Sequence, residues 1–488
     1  MARLISGVAV YVVAGFSLFS ERPALAHAFG QRYDLPAPLW MYLSGAGATV
    51  ALSFIVMALT IRRTATGDIP AVSLATAPVG QWLAHPNFIS LLQALSVALF
   101  VLVLATGFFG VQSPLRNFAP TMVWIVWWIG LAMISALLGD LWRVINPWRA
   151  LFRWVQILAR WAPLSKPYPK RLGSWPAVLL FAVFAWLELV SETGDSPRQL
   201  AYLIVLYSIV TWWGMVIYGR ETWLANGEAF TVAFSLFARF APTGVRRDRE
   251  WVLRPPAVSL LTQKPASPSV IAFVLLILAT VTYDGFLETP VWGAILEWIA
   301  EDATLRPLLV TLQETGVNLH KLIKTVGLIL FPLGFALAFF FFCALMKSAG
   351  GAGTLRDIAG YFVLTLMPIA VAYHLAHYLS YFLLSGQLIF PLASDPFGWG
   401  WDLFGTADYK IDIGIVTAKF VWYLSVTTIV LGHLTAVYLA HVMALRAFPI
   451  KREALLSQLP MMVLMVGYTM ISLWILSQPV VESSMPGG

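Results

Sequence analysis

The sequence predicts an all-α fold: a polytopic transmembrane helical bundle of about ten spans behind a cleavable signal segment. Three observations predict it. Of the 488 residues, 59% are hydrophobic and only 11% are charged, against roughly 25% charged in a typical soluble domain. The mean hydropathy is +0.78. The apolar residues fall in runs of about 20, the length at which a helix crosses a bilayer. Together these exclude a soluble globular enzyme, a disordered chain and a nucleic-acid reader, and they make the lipid bilayer the first partner. The single cysteine, Cys343, sits in an apolar run and reads as a small buried hydrophobe. Disulfides within the chain and thiolate clusters are thereby excluded.

Residues 1–26 have a basic start at Arg3, an apolar run from Leu4 to Phe19 and a polar stretch ending Ala24-Leu25-Ala26. That layout is a secretory signal with an A-x-A cleavage site. Cutting there leaves His27 as the first mature residue, whose amine and imidazole would chelate copper if a second His completed the set. A cut two residues later removes His27, and an uncleaved anchor is a third reading. Residues 27–488 then form one transmembrane domain. Ten spans are read at about 38–61, 88–110, 119–138, 176–191, 199–219, 269–286, 326–346, 358–385, 413–445 and 459–478.

Charge tests this topology. With both mature termini outside, the inner loops carry 21 Lys or Arg and the outer segments seven, a clear positive-inside bias. The formal charge of +7 is therefore a topology signal. The longest inner loop, 220–268, contains an apolar stretch from Ala229 to Phe240 that would lie in the interface or re-enter the membrane. The segment GDLWRVINPWRALFRW reads as an inner-face anchor or hinge. No loop reaches the size of a soluble domain, so the chemistry must sit among helices or in outer loops.

Ionisable side chains inside spans are costly and mark function by default. Glu188 and Asp284 lie near the outer ends of the fourth and sixth spans, and His374 and His377 in the outer half of the eighth. Three residues apart, the two imidazoles share a helix face. Two His with one or two carboxylates would hold a divalent ion, zinc or copper, which would lower the pKa of a bound water and polarise a phosphoryl oxygen. In that reading Glu188 and Asp284 are catalytic, and His374, His377, His433 and His27 are metal ligands. The plain alternative is that the His pair bonds across helices, or faces the interface beside Tyr373, Tyr378 and Tyr381. His433, deep in the ninth span, would also serve as a haem ligand, but the His spacings do not supply a two-haem bundle. The outer loop GQLIFPLASDPFGWGWDLFGTADYKID offers Asp395, Trp399, Trp401 and Asp402 as a lid or substrate slot; an interfacial aromatic belt explains it equally well.

Several segments resemble a bacterial family of polytopic membrane proteins labelled fenitrothion hydrolase, or membrane-bound organophosphorus hydrolase. They are HAFGQRYDLPAPLWMYLSGA, GDLWRVINPW, ELVSETGDSPRQLA, TYDGF, SDPFGWGWDLFGT and GHLTAVYLAH, spread over residues 27–446. The resemblance implies an inner-membrane enzyme that cleaves hydrophobic aryl dialkyl (thio)phosphate triesters. Two other functions compete with it. One is a copper or other metal-handling permease, with the intramembrane His and acids as its pathway. The other is a haem or copper oxidoreductase subunit. A second subunit is left open in each.

Overall fold

The computed structural model describes residues 35–478, apart from 36, 62–70, 75–76, 246–250, 351–352 and 449. The signal segment and His27 lie outside the described residues. Among those described, nine helices are long and apolar enough to cross a membrane. The chain is a multi-pass helical membrane protein. In chain order the helices that matter below are α1 (Leu39–Thr60), α2 (Pro86–Phe109), α3 (Phe118–Leu137), α4 (Pro147–Leu158), α5 (Trp175–Leu189) and α6 (Pro197–Tyr218). They continue with α7 (Ala229–Ala238), α8 (Pro268–Leu287), α9 (Leu319–Gly350), α10 (Leu355–Ser394), α11 (Ala418–Ala447) and α12 (Lys451–Leu476).

The helix starts follow from local chemistry. Helices α2, α4, α6 and α8 each begin with Pro, whose missing N–H costs nothing at that position and whose φ is already helical. Asn146 and Ser267 cap α4 and α8 by accepting from Arg149 N and Val270 N. The anchor segment read from the sequence thus becomes a tight turn and a short helix. Its Trp148 and Phe152 are buried, while Ile157 and Leu158 are exposed.

Three departures from the sequence reading position the site. First, the fourth expected span is a helix of only 15 residues, Trp175–Leu189. At 1.5 Å per residue it is about 22 Å long, short of the ~30 Å hydrocarbon layer. Its last turn, which carries Glu188, therefore ends inside the bundle. Second, α3 contains a π-helical stretch over Thr121–Gly130. The wider π turn re-aims its side chains, and such segments recur at functional sites. Third, α7 does not lie along an interface. Phe230, Val232, Ala233, Phe234, Leu236 and Phe237 are all buried, and α7 packs against α3, α5 and α10. It is an internal helix, and its Phe230 and Phe234 pack in an aromatic core with Trp127, Trp128, Phe181 and Phe184, the ring centroids lying 4.5 Å apart for Trp127–Phe230 and 6.0 Å for Trp128–Phe234.

The fold is all-α with one small addition. Strands β1 (Val72–Ser73), β2 (Thr243–Val245) and β3 (Trp251–Leu253) form an antiparallel sheet in the order β1-β3-β2. It clasps two connections that lie far apart in sequence. The period-two signal is too short in each strand to be read from sequence.

Candidate functional site

Helices α3, α5, α8 and α10 bring polar groups together inside the bundle. On α8, Asp284 Oδ2 accepts a hydrogen bond from Tyr378 OH at 2.6 Å and pairs with His377 Nε2 at 3.0 Å. Both residues of that ion pair are largely covered, with 13% of the His377 side chain and 22% of Asp284 exposed. One turn earlier on α10, His374 is buried and its ring lies 4.8 Å from that of Tyr378. It approaches the Ile129 backbone of the π-helical stretch, and its Nε2 has no protein partner. From the same stretch, Trp128 Nε1 donates to Glu188 Oε1 at 2.8 Å. Glu188 and Asp284 act on each other electrostatically across the site.

Between these groups is a cavity of about 20 Å³, lined by Glu188, His374, Tyr378 and Trp128, with Phe181 and Phe237 among its apolar walls. That is room for a single water, which needs about 10–15 Å³ measured this way and two or more polar partners. Glu188, His374 Nε2 and the Tyr378 hydroxyl are such partners. Phe237, from the internal helix α7, is one of the apolar residues that close it.

At the edge of the cluster, just beyond α8, Glu288 acts electrostatically on His377, and Lys324 acts on Asp284. Burial pushes the Glu288 carboxyl above its ordinary range; His377 pulls against this and Asp284 adds to it. The Lys324 backbone is held in place by a hydrogen bond from Tyr283 OH at 2.9 Å.

Glu188, Asp284, His374 and His377, which the sequence places at a common depth without showing that they converge, are neighbours. Of the remaining expected residues, His27 lies outside the described residues and the others are not part of this cluster. His433 bonds through Nδ1 to Ile429 O at 2.9 Å and faces Tyr468. Asp395 accepts from the backbone N–H groups of Trp399 and Gly400 at 2.9 and 2.7 Å, and Asp402 from Ala407 N at 3.0 Å. Trp399 and Trp401 pack on Phe397. The loop is pinned to the α2–α3 turn by Val111 N to Phe397 O and Phe118 N to Pro396 O. Its acids hold its own backbone, and none of its residues lines the cavity.

A metal fits the cluster poorly. Among the described residues no group of three or more His, Cys, Asp or Glu is arranged to hold an ion. Asp284 Oδ2 is already engaged by Tyr378 and His377. Of the His and carboxylate side chains only His374 and Glu188 line the cavity, two ligands where a catalytic zinc site uses three from the protein.

Sequence reasoning missed Trp128 and undervalued Tyr378, which it named only as a neighbour of the His pair where that pair would face the interface. The spacing of four from His374 was the available signal for Tyr378. It also passed over Glu228, fully buried at the start of α7. Glu228 accepts from Phe230 N at 2.9 Å, from Thr231 N at 2.7 Å, and from the hydroxyls of Tyr207 and Thr231. An acid just before an apolar run is an N-cap signature.

No family model, curated protein or solved structure matches the chain.

Proposed function

We propose that this membrane protein handles protons at a buried acid–base centre, as a proton-coupled permease does. One observation carries the reading: a cavity the size of one water is lined by Glu188, by His374, whose Nε2 has no protein partner, and by Tyr378, whose hydroxyl donates to Asp284 beside His377. Intramembrane ionisable groups in contact with each other mark proton and ion pathways. A proton arriving near Glu288 and Lys324 would pass to the His377–Asp284 pair. The Tyr378 hydroxyl and the cavity water would then carry it to Glu188 or His374. The apolar walls at Phe181 and Phe237 keep the centre from being an open pore. The test is proton uptake by liposomes containing the purified chain, driven by a potassium–valinomycin potential and read by an enclosed pH dye. Asp284→Asn should lower the rate by on the order of a hundredfold, the scale of a positioned acid–base group. Uptake equal in wild-type and empty liposomes would sink the reading.

A second reading is favoured by the lining of the same water-sized cavity. Glu188 and Asp284 lie within ELVSETGDSPRQLA and TYDGF, two of the segments that resemble the organophosphorus hydrolases. A water between a carboxylate and an imidazole is a nucleophile with its bases in place. Here Glu188 and His374 would activate it, and the substrate would be an apolar phosphotriester entering from the lipid. A cavity of about 20 Å³ does not hold such a molecule, so the aromatic wall would have to open. Nitrophenolate release from a thiophosphate triester, lost in Glu188→Gln, would favour this reading over the first.

A further inference from the structure

A second set of buried polar groups lies on the other side of Gly285. The Tyr373 hydroxyl and His433 Nε2 are buried and have no protein hydrogen-bond partner, and the buried Ser472 hydroxyl has only Tyr468 beside it among the described residues. All three residues belong to the bundle interior, none more than 1% exposed. Three close contacts bring them together. A Cβ on Gly285 would lie 2.8 Å from the Tyr373 hydroxyl and 3.4 Å from His377 Cε1. Gly285 is thus a notch where Tyr373 and His377 meet. A Cβ on Gly432 would lie 2.4 Å from Ala372 Cβ, so α10 and α11 touch one residue before Tyr373 and His433. On α12, Tyr468 bonds to Thr282 Oγ1 at 2.6 Å, its ring is 5.9 Å from His433, and Ser472 lies beside its hydroxyl.

Each stranded group costs about 1–3 kcal/mol if nothing meets it, so the Tyr373 hydroxyl and His433 Nε2, on facing helices, each call for a partner. Their chemistry is complementary to water. His433 Nδ1 bonds to a carbonyl, so that nitrogen carries the proton and Nε2 accepts. The Tyr373 and Ser472 hydroxyls both donate and accept.

We propose that Tyr373, His433, Tyr468 and Ser472 form a binding site for ordered water. It extends the polar network through the Gly285 notch, from His377 on α10 to His433 on α11. This deepens the proton-handling reading and rests on it for its use, but the site itself is tested without any proton movement. X-ray radiolytic footprinting of the full chain in detergent labels side chains next to bound water. Tyr373, Tyr468 and His433 should be labelled, while the equally buried Phe362 and Phe273 should not. Labelling of all five at the same low rate overturns the site. Thermal unfolding gives an independent sign. If water satisfies the Tyr373 hydroxyl, Tyr373→Phe lowers the Tm by about 1–3 °C. If the hydroxyl is unmet, its removal leaves the Tm unchanged or raises it, and the site is overturned. Labelled Tyr468 in a chain that moves no protons would sink the relay and leave the water site standing.

Discussion

Two glutamates at the ends of packed helices are treated in opposite ways. Glu228 opens α7 and Glu188 closes α5, and these helices lie against each other. Glu228 is fully buried and accepts from two backbone N–H groups and two hydroxyls. Glu188 accepts from Trp128 alone and faces a cavity, with a second carboxylate close by. A carboxylate whose lone pairs are filled by fixed donors is held for architecture. One left with spare acceptor capacity beside a water-sized space is available for chemistry.

The largest effect should come from breaking the architectural member. Glu228→Ala strands the Phe230 and Thr231 N–H groups and the Tyr207 hydroxyl in the core. The expected loss is on the order of 3–5 kcal/mol, combining a lost cap with unmet donors. Denaturant unfolding in mixed micelles measures it; a loss under about 1 kcal/mol would erase the distinction between the two residues. Glu188→Gln should do the reverse. The amide oxygen still accepts from Trp128, so stability should change by less than about 1 kcal/mol. Proton uptake, or hydrolysis in the second reading, should fall by on the order of a hundredfold.

A smaller effect is expected at Trp128→Phe. It removes the 2.8 Å bond to Glu188 while keeping most of the ring contact with Phe184 and Phe234. The cost should be about 1 kcal/mol, with a partial loss of activity; full activity would show that the bond does not orient Glu188. The smallest effect concerns pH. The Glu288 carboxyl titrates above its ordinary range in the folded chain. Between the two values the folded state holds a proton that the unfolded state has released, so stability falls as pH rises through that window. Glu288→Gln should flatten that slope and leave the acid side unchanged. A Tm profile against pH that is identical in the variant would place the pH sensitivity elsewhere.

Much of the architecture was legible because a bilayer leaves few choices. Apolar runs of span length, with Lys and Arg gathered on alternate connections, define helices and their order. The four cluster residues were legible as well, because an ionisable side chain in an apolar run is rare enough to stand out. Partner choice was not. Whether Asp284 would meet His377 or Tyr378 depends on helix rotation, which the near-uniform hydrophobicity of these helices does not encode. The π-helical turns that aim Trp128 at Glu188 had no visible signal in TMVWIVWWIG. Asp395 and Asp402 looked like a slot because acids and aromatics are dense there. In a glycine-rich loop the same acids are needed to hold backbone N–H groups. His441 lies eight residues beyond His433 on α11. It is fully engaged, through Nδ1 with Gln458 and Nε2 with the Ile61 carbonyl.

That last contact bears on how the protein is made. Ile61 ends the first described span, and α1 packs against α11 and α12 at the far end of the chain. The bond from His441 joins residues 380 positions apart. At about 5–20 residues per second of synthesis, the first span must wait on the order of 20–80 s for its neighbours. During that interval the face of α1 that carries Leu43, Ala46, Gly47, Val50, Ser53 and Phe54, buried in the finished fold, stands open to lipid or to an insertion chaperone. Biogenesis of this chain is thus a problem of custody: something must hold the first helix until the last two arrive.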